Sequence, residues 1–372
     1  MEFHVLHADL KKALVKLLDA TPRKNQYAVP VLHHISLVAE DDELTLTAFN
    51  GAISVTTEIN AQIKEPDACT ILYHRFRDYV NSFKEGQFRF RLNEERTRVC
   101  LTCGKSRAQI PSMDIEEFPV VGQDKGSNGL KLDVEKFVKA LNLVNYAVST
   151  DKEGREVLTG VHILYDGTHI LFESADGYRL SSFTIDLTEQ DAFEGIIPGT
   201  AMASLAKILK GEEGNVTITT ANKGNTIVFE TFNYVFTSQL LDGVFPDVQR
   251  IIPTKSTTTL VTDRKALLDS VKRIMIMSRD YVNMVRVAVD QDSNTLHVFT
   301  PQYDIGWIKN PIPATIKGDN LEFNLSGRFL ISVLDSLKTE EVEFGMTNNT
   351  SPIKILGIGE DDFSHVIMPM IE

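Results

Sequence analysis

Cys100 and Cys103 stand three residues apart in RTRVCLTCG, the spacing of half a zinc site or of a dithiol redox pair. Either chemistry needs both sulfurs on one side of the backbone. The flanking residues alternate in polarity, which predicts a strand, and positions i and i+3 of a strand face opposite ways. The chain has three cysteines and no second Cys-x-x-Cys to complete a metal site. His33 and His34 follow Pro30 in an apolar stretch without an acidic motif beside them, so a structural role is expected. There is no Walker loop, no GxSxG and no HExxH, and GEEGN (Gly211–Asn215) reads as a turn. No metal, no cofactor and no catalytic residue is therefore expected.

A different chemistry is suggested by the end of the sequence, HVIMPMIE. Chain termini are usually frayed and polar, yet here Val366, Ile367, Met368, Pro369, Met370 and Ile371 precede a single Glu372. Such a segment is either a core strand or one wall of an apolar surface meant for a partner. Ile367, whose side chain should point opposite to its neighbours, is the one expected in the core.

The elements that would position this surface follow from the rest of the chain. At 372 residues, with 42% hydrophobic and 24% charged residues, the composition is that of a globular protein of two or three domains. No stretch approaches the roughly 20 apolar residues of a membrane span, and MEFHVLHADLKK lacks the features of a signal peptide. A cytoplasmic protein without membrane contact and without disulfides is expected.

Three segments read as amphipathic helices opened by aspartate. In ADLKKALVKLLD the apolar positions are Leu10, Ala13, Leu14, Leu17 and Leu18. In DVEKFVKALNLV they are Val134, Phe137, Val138, Leu141 and Val144, and in DRKALLDSVKRIMIM they are Leu267, Val271 and Ile274. Asp9, Asp133 and Asp263, spaced by 124 and 130 residues, are the expected N-caps. A second series, YHRFRDYVNSF, PGTAMASLAKILK and SGRFLISVLDSLK, recurs at a similar interval. Between helices, DELTLTAF, QFRFRL, GTHILFES, NVTITT, NTIVFET and NTLHVFT alternate with period two and read as strands. Phe118-Pro119, Phe245-Pro246 and Met368-Pro369 mark the same repeat. The expectation is an α+β chain of three similar domains, 1–125, 126–254 and 255–372, each with two helices packed on antiparallel sheets. Gly122–Gly129 and Pro253–Thr258 read as the linkers.

Charge is segregated along this repeat. The whole chain carries 38 Lys and Arg against 51 Asp and Glu, a net −13, whereas the six helix windows carry 17 against 8. Lys11, Lys12, Lys16, Arg75, Arg77, Lys136, Lys139, Lys272 and Arg273 all lie off the apolar stripes. One basic helix face is usually just a solvated face. Segregation repeated across three domains favours a shared surface for a polyanion. With neither stacked aromatics nor finger spacing, duplex contact through phosphates without base reading fits best.

Four stretches together, in order and in spacing, resemble the bacterial sliding clamps, the beta subunits of DNA polymerase III. They are GKSRAQIPSMDIEEFP (Gly104–Pro119), ADGYRL (Ala175–Leu180), LLDGVFPDVQRIIP (Leu240–Pro253) and VIMPM (Val366–Met370). The resemblance spans the whole chain. It implies three clamp domains per chain and a head-to-tail homodimer closed into a ring, with basic helices around double-stranded DNA and acidic sheets outside. It implies a non-catalytic processivity factor that tethers the DNA polymerase III alpha subunit, the clamp loader and other proteins bearing a clamp-binding motif. The alternative is a clamp paralogue with altered clients or a role in drug resistance. An enzyme with an unrecognised site is the reading of a different class.

Carried over by position, the resemblance implies a partner-peptide groove of Leu158, Ala175, Gly177, Tyr178, Arg179, Leu180, Pro246, Arg250, Ile251, Val366, Met368, Pro369 and Met370. Val366, Met368 and Met370 would alternate onto one side of a strand. DNA contacts would come from Arg23, Lys24, Arg75, Lys152, Lys207 and Lys210. The dimer contact would set Ile276 and Met277 against Ala108 and Ile110. Three departures carry expectations of their own. Tyr178 stands where relatives often have histidine, and Ile371-Glu372 replaces a short polar ending, so client preference should differ. Ala108 stands where relatives often carry a large aromatic, so the dimer should dissociate more readily.

Overall fold

A computed structural model describes residues 1–22, 29–120, 129–151, 153–187, 193–221, 224–278, 283–301 and 306–370. Among these residues six α-helices occur: α1 (His7–Lys16), α2 (Tyr73–Asn81), α3 (Val134–Val144), α4 (Gly199–Leu209), α5 (Arg264–Ser278) and α6 (Gly327–Ser336). Every strand pairing is antiparallel. The element order repeats three times as strand, helix, a run of strands, helix, three strands. Each expected helix and strand is present, and the class is α+β.

Local chemistry explains why each repeat opens in the same way. The strands Glu2–Leu6, Leu130–Asp133 and Thr258–Asp263 run directly into α1, α3 and α5. The first N–H of each helix is an orphan donor. It is satisfied by the segment just after the second helix of the same repeat: His7 donates to Gly86 O, Val134 to Gly214 O and Arg264 to Glu340 O, each at 2.9 Å. Asp263 acts as the expected cap, its Oδ1 accepting from the Ala266 N–H at 2.6 Å, and Asp133 directly precedes α3. Asp9 does not cap. The helix starts earlier because Leu6 leaves the strand straight into it, and Asp9 sits in the first turn, where a carboxylate still complements the dipole.

The chain divides into two compact units. One comprises Met1–Glu135 with Ser204–Leu240. It holds a five-stranded sheet in the order Gln62–Glu65, Glu2–Leu6, Gln87–Leu92, Arg98–Cys103, Ser106–Pro111. An eight-stranded sheet begins at Leu130–Asp133, passes through Tyr234–Gln239 paired with Ile53–Asn60, and ends at Asp67–Leu72. The core forms where α1 and α2 lay their apolar stripes on these strands. Phe90 illustrates it: Phe3 stacks on its ring at 4.4 Å and Phe76 meets it edge-on at 5.5 Å. Burying one such ring contributes about 1.5–3 kcal/mol. Cys100 and Cys103 alternate across the strand Arg98–Cys103, the first half-buried and the second buried, and both are free.

The other unit comprises Lys136–Ala203 with Leu241–Glu372 and is built on one twelve-stranded sheet. Within it Arg179–Asp186 pairs with Phe363–Ile367, in the register Leu180 to Val366. Ile367 is fully buried, as expected. The regular strand ends there, however, and the alternation expected to continue through Met368 and Met370 does not. Pro369 has no N–H to extend a ladder. Met370 instead donates its N–H to Asn324 O at 2.8 Å.

A buried histidine makes the first unit acid-sensitive. His34 is 5% exposed, and its Nδ1 lies 2.9 Å from Thr70 Oγ1. Burial, aided by the neighbouring His33, pushes its pKa down to about 4 from 6.5. Below pH 6.5 the unfolded chain takes up a proton that the folded chain refuses. The stabilisation is thus complete above pH 6.5 and is lost as pH falls towards 4. Between pH 6.5 and 5 the expected loss is about 2 kcal/mol. Urea unfolding at the two pH values measures it, and His34→Gln should flatten this part of the dependence; an equal slope in the variant would refute it.

Candidate functional site

The turn Asp176–Arg179 joins the strands His169–Ala175 and Arg179–Asp186. Gly177 supplies its positive φ of 90°. Asp176 Oδ1 accepts from the N–H groups of Tyr178 and Arg179, both at 3.0 Å, and its Oδ2 accepts from Arg179 Nε at 2.9 Å. These bonds hold the Tyr178 ring out, 66% exposed. The Arg179 guanidinium runs inward. Its Nη2 donates to Tyr146 O at 2.7 Å, and its carbon lies 4.3 Å from the Phe329 ring centre and 5.7 Å from that of Tyr146. Cation–π contact and hydrogen bonds offset the cost of burying this charge.

Around the turn lies a groove of ≈ 430 Å³. Its floor is formed by the buried residues Ala175, Leu180 and Val366. One wall is the segment from Pro246 to Ile251, which ends in the 3-10 turn Gln249–Ile251, another is Leu158 in the 3-10 turn Glu156–Thr159, and Met368 lines it too. Met368 is pinned by its N–H, which donates to Tyr178 O at 2.9 Å. The lining is chiefly aliphatic, with Arg155 and Arg179 as the basic side chains. A preformed apolar groove with few polar anchors takes a short apolar peptide or a compact apolar ligand, with side chains seated one by one. Methionine in its lining adapts to more than one occupant.

Beneath the groove, the Tyr146 hydroxyl and His365 Nδ1 share a hydrogen bond at 3.0 Å. Burial holds the His365 pKa well below the usual imidazole value, and the Arg179 charge adds to this. Burial likewise raises the Tyr146 phenol. Both groups are therefore neutral beneath the groove.

Of the groove residues expected from sequence, Leu158, Ala175, Gly177, Tyr178, Arg179, Leu180, Pro246, Ile251, Val366 and Met368 are brought together. Arg250, Pro369 and Met370 are not among the lining residues. Arg250 is 86% exposed at its side chain and pairs with Asp247 at 2.6 Å. Three lining residues were missed: Arg155, Val248 and Pro352. Val248 had a signal, the apolar residue three after Phe245. Arg155 and Pro352 lie in turns without any period.

Among the expected DNA contacts, Arg75 on α2 and Lys210 just past α4 are exposed. Lys207 is 70% exposed at its side chain and pairs with Asp19 at 3.0 Å. An exposed pair of this kind is worth little and yields readily to a phosphate. Arg23, Lys24 and Lys152 lie outside the described residues. Other helix cations are more committed than their spacing suggested. Lys16 is half-buried, donating to Ile208 O and to Glu212 Oε1, the latter at 3.3 Å. Lys139 pairs with Glu360 at 2.5 Å and Lys272 with Asp335 at 3.1 Å.

Among the expected dimer residues, Ala108 is half-buried on Ser106–Pro111, an edge strand of the five-stranded sheet. Ile110 is 4% exposed and packs inward. A partner would thus meet the backbone of this strand rather than the Ile110 side chain. Ile276 and Met277, at the end of α5, are 72% and 38% exposed. Among the described residues there is no cluster of three or more His, Cys, Asp or Glu able to hold a metal, and no helix long and apolar enough to cross a membrane.

Comparison with known proteins matches this chain to models of the DNA polymerase III beta subunit. The N-terminal domain model covers residues 1–122, the central domain model 131–247 and the C-terminal domain model 249–371. The beta sliding clamp of Synechococcus elongatus is 25% identical over 97% of both chains. The DNA polymerase sliding clamp of Bacillus subtilis superposes with a TM-score of 0.93 at 22% identity, over 100% of this chain and 99% of that one. A sliding clamp from Pseudomonas aeruginosa, solved bound to griselimycin, gives 0.92 at 24% over 100% of both. The structural likenesses establish the fold.

Proposed function

This chain belongs to the DNA polymerase III beta subunit family, the bacterial sliding clamps, and on that premise we propose that its groove is the tether for client proteins. Two copies close head to tail into a ring around double-stranded DNA, held by topology rather than by base reading. Each copy supplies three clamp domains, near residues 1–125, 126–254 and 255–372. The edge strand carrying Ala108 meets Ile276 and Met277 of the next copy. The exposed helix cations, Arg75 and Lys210 among them, face phosphate. The protein performs no catalysis. It acts in the cytoplasm, keeping the polymerase alpha subunit on the template and receiving the clamp loader and other motif-bearing proteins in turn.

The observation that carries this reading is the groove itself. An aliphatic hollow is lined by Met368 and an outward tyrosine and is built from segments far apart in sequence. A free surface of this kind is kept open for an occupant.

The test is fluorescence anisotropy with a labelled peptide of QLxLF type. Saturable binding is expected. Ile251 is 48% exposed, so Ile251→Glu can be introduced without disturbing the core. It should weaken binding about tenfold or more, because a carboxylate would be desolvated against an apolar anchor. Equal binding by the variant would remove the groove from this role.

A further inference from the structure

The wall from Pro246 to Ile251 belongs to no sheet. Between Leu241 and Ile252 the backbone bonds that hold it locally are Ile251 N–H to Val248 O and Ile252 N–H to Gln249 O, at 3.0 and 3.2 Å. A wall that must seat side chains within a fraction of an ångström needs firmer support. It finds this in side chains that never reach the groove. The Gln249 carboxamide donates from Nε2 to Glu173 Oε1 at 2.6 Å and to Ser182 Oγ at 3.0 Å. Glu173 is 4% exposed and Ser182 5%. Both lie on strands whose other residues, Ala175 and Leu180, form the groove floor. The second oxygen of Glu173 accepts from His162 Nδ1 at 3.0 Å, and the imidazole stacks on Phe245 at 4.8 Å and 13°. Phe245 and Gln249 therefore bracket Pro246 and Val248, and both are anchored through one buried carboxylate.

We propose that Glu173 and Gln249 are positioning residues for the client groove, a latch that fixes the Pro246–Ile251 wall over its floor and sets client affinity without touching the client. The inference rests on the reading of this groove as the client site. A buried carboxylate on the floor strands serves no other described contact, and it is the one group that can hold a carboxamide and an imidazole from two elements at once. Glu194 Oε1 stands 3.3 Å from the other ring nitrogen, His162 Nε2.

The test uses the full-length protein and the same labelled peptide, with amide hydrogen exchange as a second readout. Gln249→Leu keeps the side chain's bulk but cannot donate. It should weaken peptide binding about tenfold and speed exchange of the Ile251 and Ile252 amides, with the thermal midpoint close to the parent's. Glu173→Gln keeps a carbonyl acceptor for the Gln249 amide and should bind within about twofold of the parent. If Gln249→Leu loses stability by stranding the Glu173 carboxylate, the double variant Glu173→Leu/Gln249→Leu removes the stranded group. The double variant should recover the midpoint and stay weak in binding. Parent-like affinity in the folded Gln249→Leu or double variant overturns the latch alone, with Ile251→Glu still defective. Failure of the unmodified protein to bind the peptide overturns the groove reading and the latch with it.

Discussion

Deleting Met368–Glu372 lowers client-peptide affinity by about a hundredfold or more, while leaving the thermal midpoint and the dimer mass nearly unchanged. Met368 lines the groove and is pinned to the Tyr178 turn through its N–H. Each apolar anchor that loses its wall forfeits about 1.5–3 kcal/mol, and a hundredfold loss is about 2.7 kcal/mol. The strand Phe363–Ile367 survives the cut, since its pairing with Arg179–Asp186 lies wholly upstream. The Tyr178 turn survives too, because Asp176 builds it locally. Ile276 and Met277, the proposed dimer residues, belong to α5. Anisotropy, calorimetry and light scattering on the truncated protein measure the three quantities. Undiminished peptide affinity would place the client elsewhere.

On DNA, the largest expected effect is topological. Once placed on a covalently closed circle by a loader, the protein should remain bound through a high-salt wash and leave within minutes of a single linearising cut. Electrostatic binding cannot behave this way. A protein neutralising several phosphates loses affinity as a power of salt concentration, whether or not the DNA has ends. Binding held by such phosphate contacts alone should be largely lost by about 0.5 M salt. Gel filtration of labelled protein with circular plasmid, before and after cutting, separates the mechanisms. Equal dissociation from intact and cut DNA would exclude a closed ring. Arg75→Glu with Lys210→Glu should slow the initial encounter and leave retention on circles intact.

Sequence patterns reached further into the fold than into the site. Period and punctuation exposed all three repeats, because an apolar stripe such as Leu10, Ala13 and Leu14 must be written into any helix that packs on a sheet. They failed at Asp9, where a carbonyl from Gly86, distant in sequence, took the place of a local cap. The groove was legible where a family pattern or an apolar run marked it, as at Tyr178, Leu180 and Val366. It was illegible where a turn delivered a residue by tertiary placement alone, as with Arg155 and Pro352. The tail shows the limit from the other side. Strand alternation correctly put Ile367 in the core, but it could not see that Pro369 would end the ladder and send Met370 to Asn324. Nor does spacing reveal partners. Lys16 and Lys139 look like free cations along the helix and are tied to Glu212 and Glu360 in the fold.

The pairing of Ile53–Asn60 with Tyr234–Gln239 has a consequence for the newly made chain. The first of these strands leaves the ribosome long before its neighbour exists. At 5–20 residues per second, roughly 10–35 s pass before Tyr234 is synthesised. Throughout that time one side of Ile53–Asn60 is an open edge, able to pair with the same strand of another nascent chain on the same messenger. Thr56, Glu58 and Asn60 punctuate its apolar residues, and the Glu58 charge opposes stacking of identical edges in register. Until Tyr234 arrives, that charge is the edge's own guard against the wrong copy.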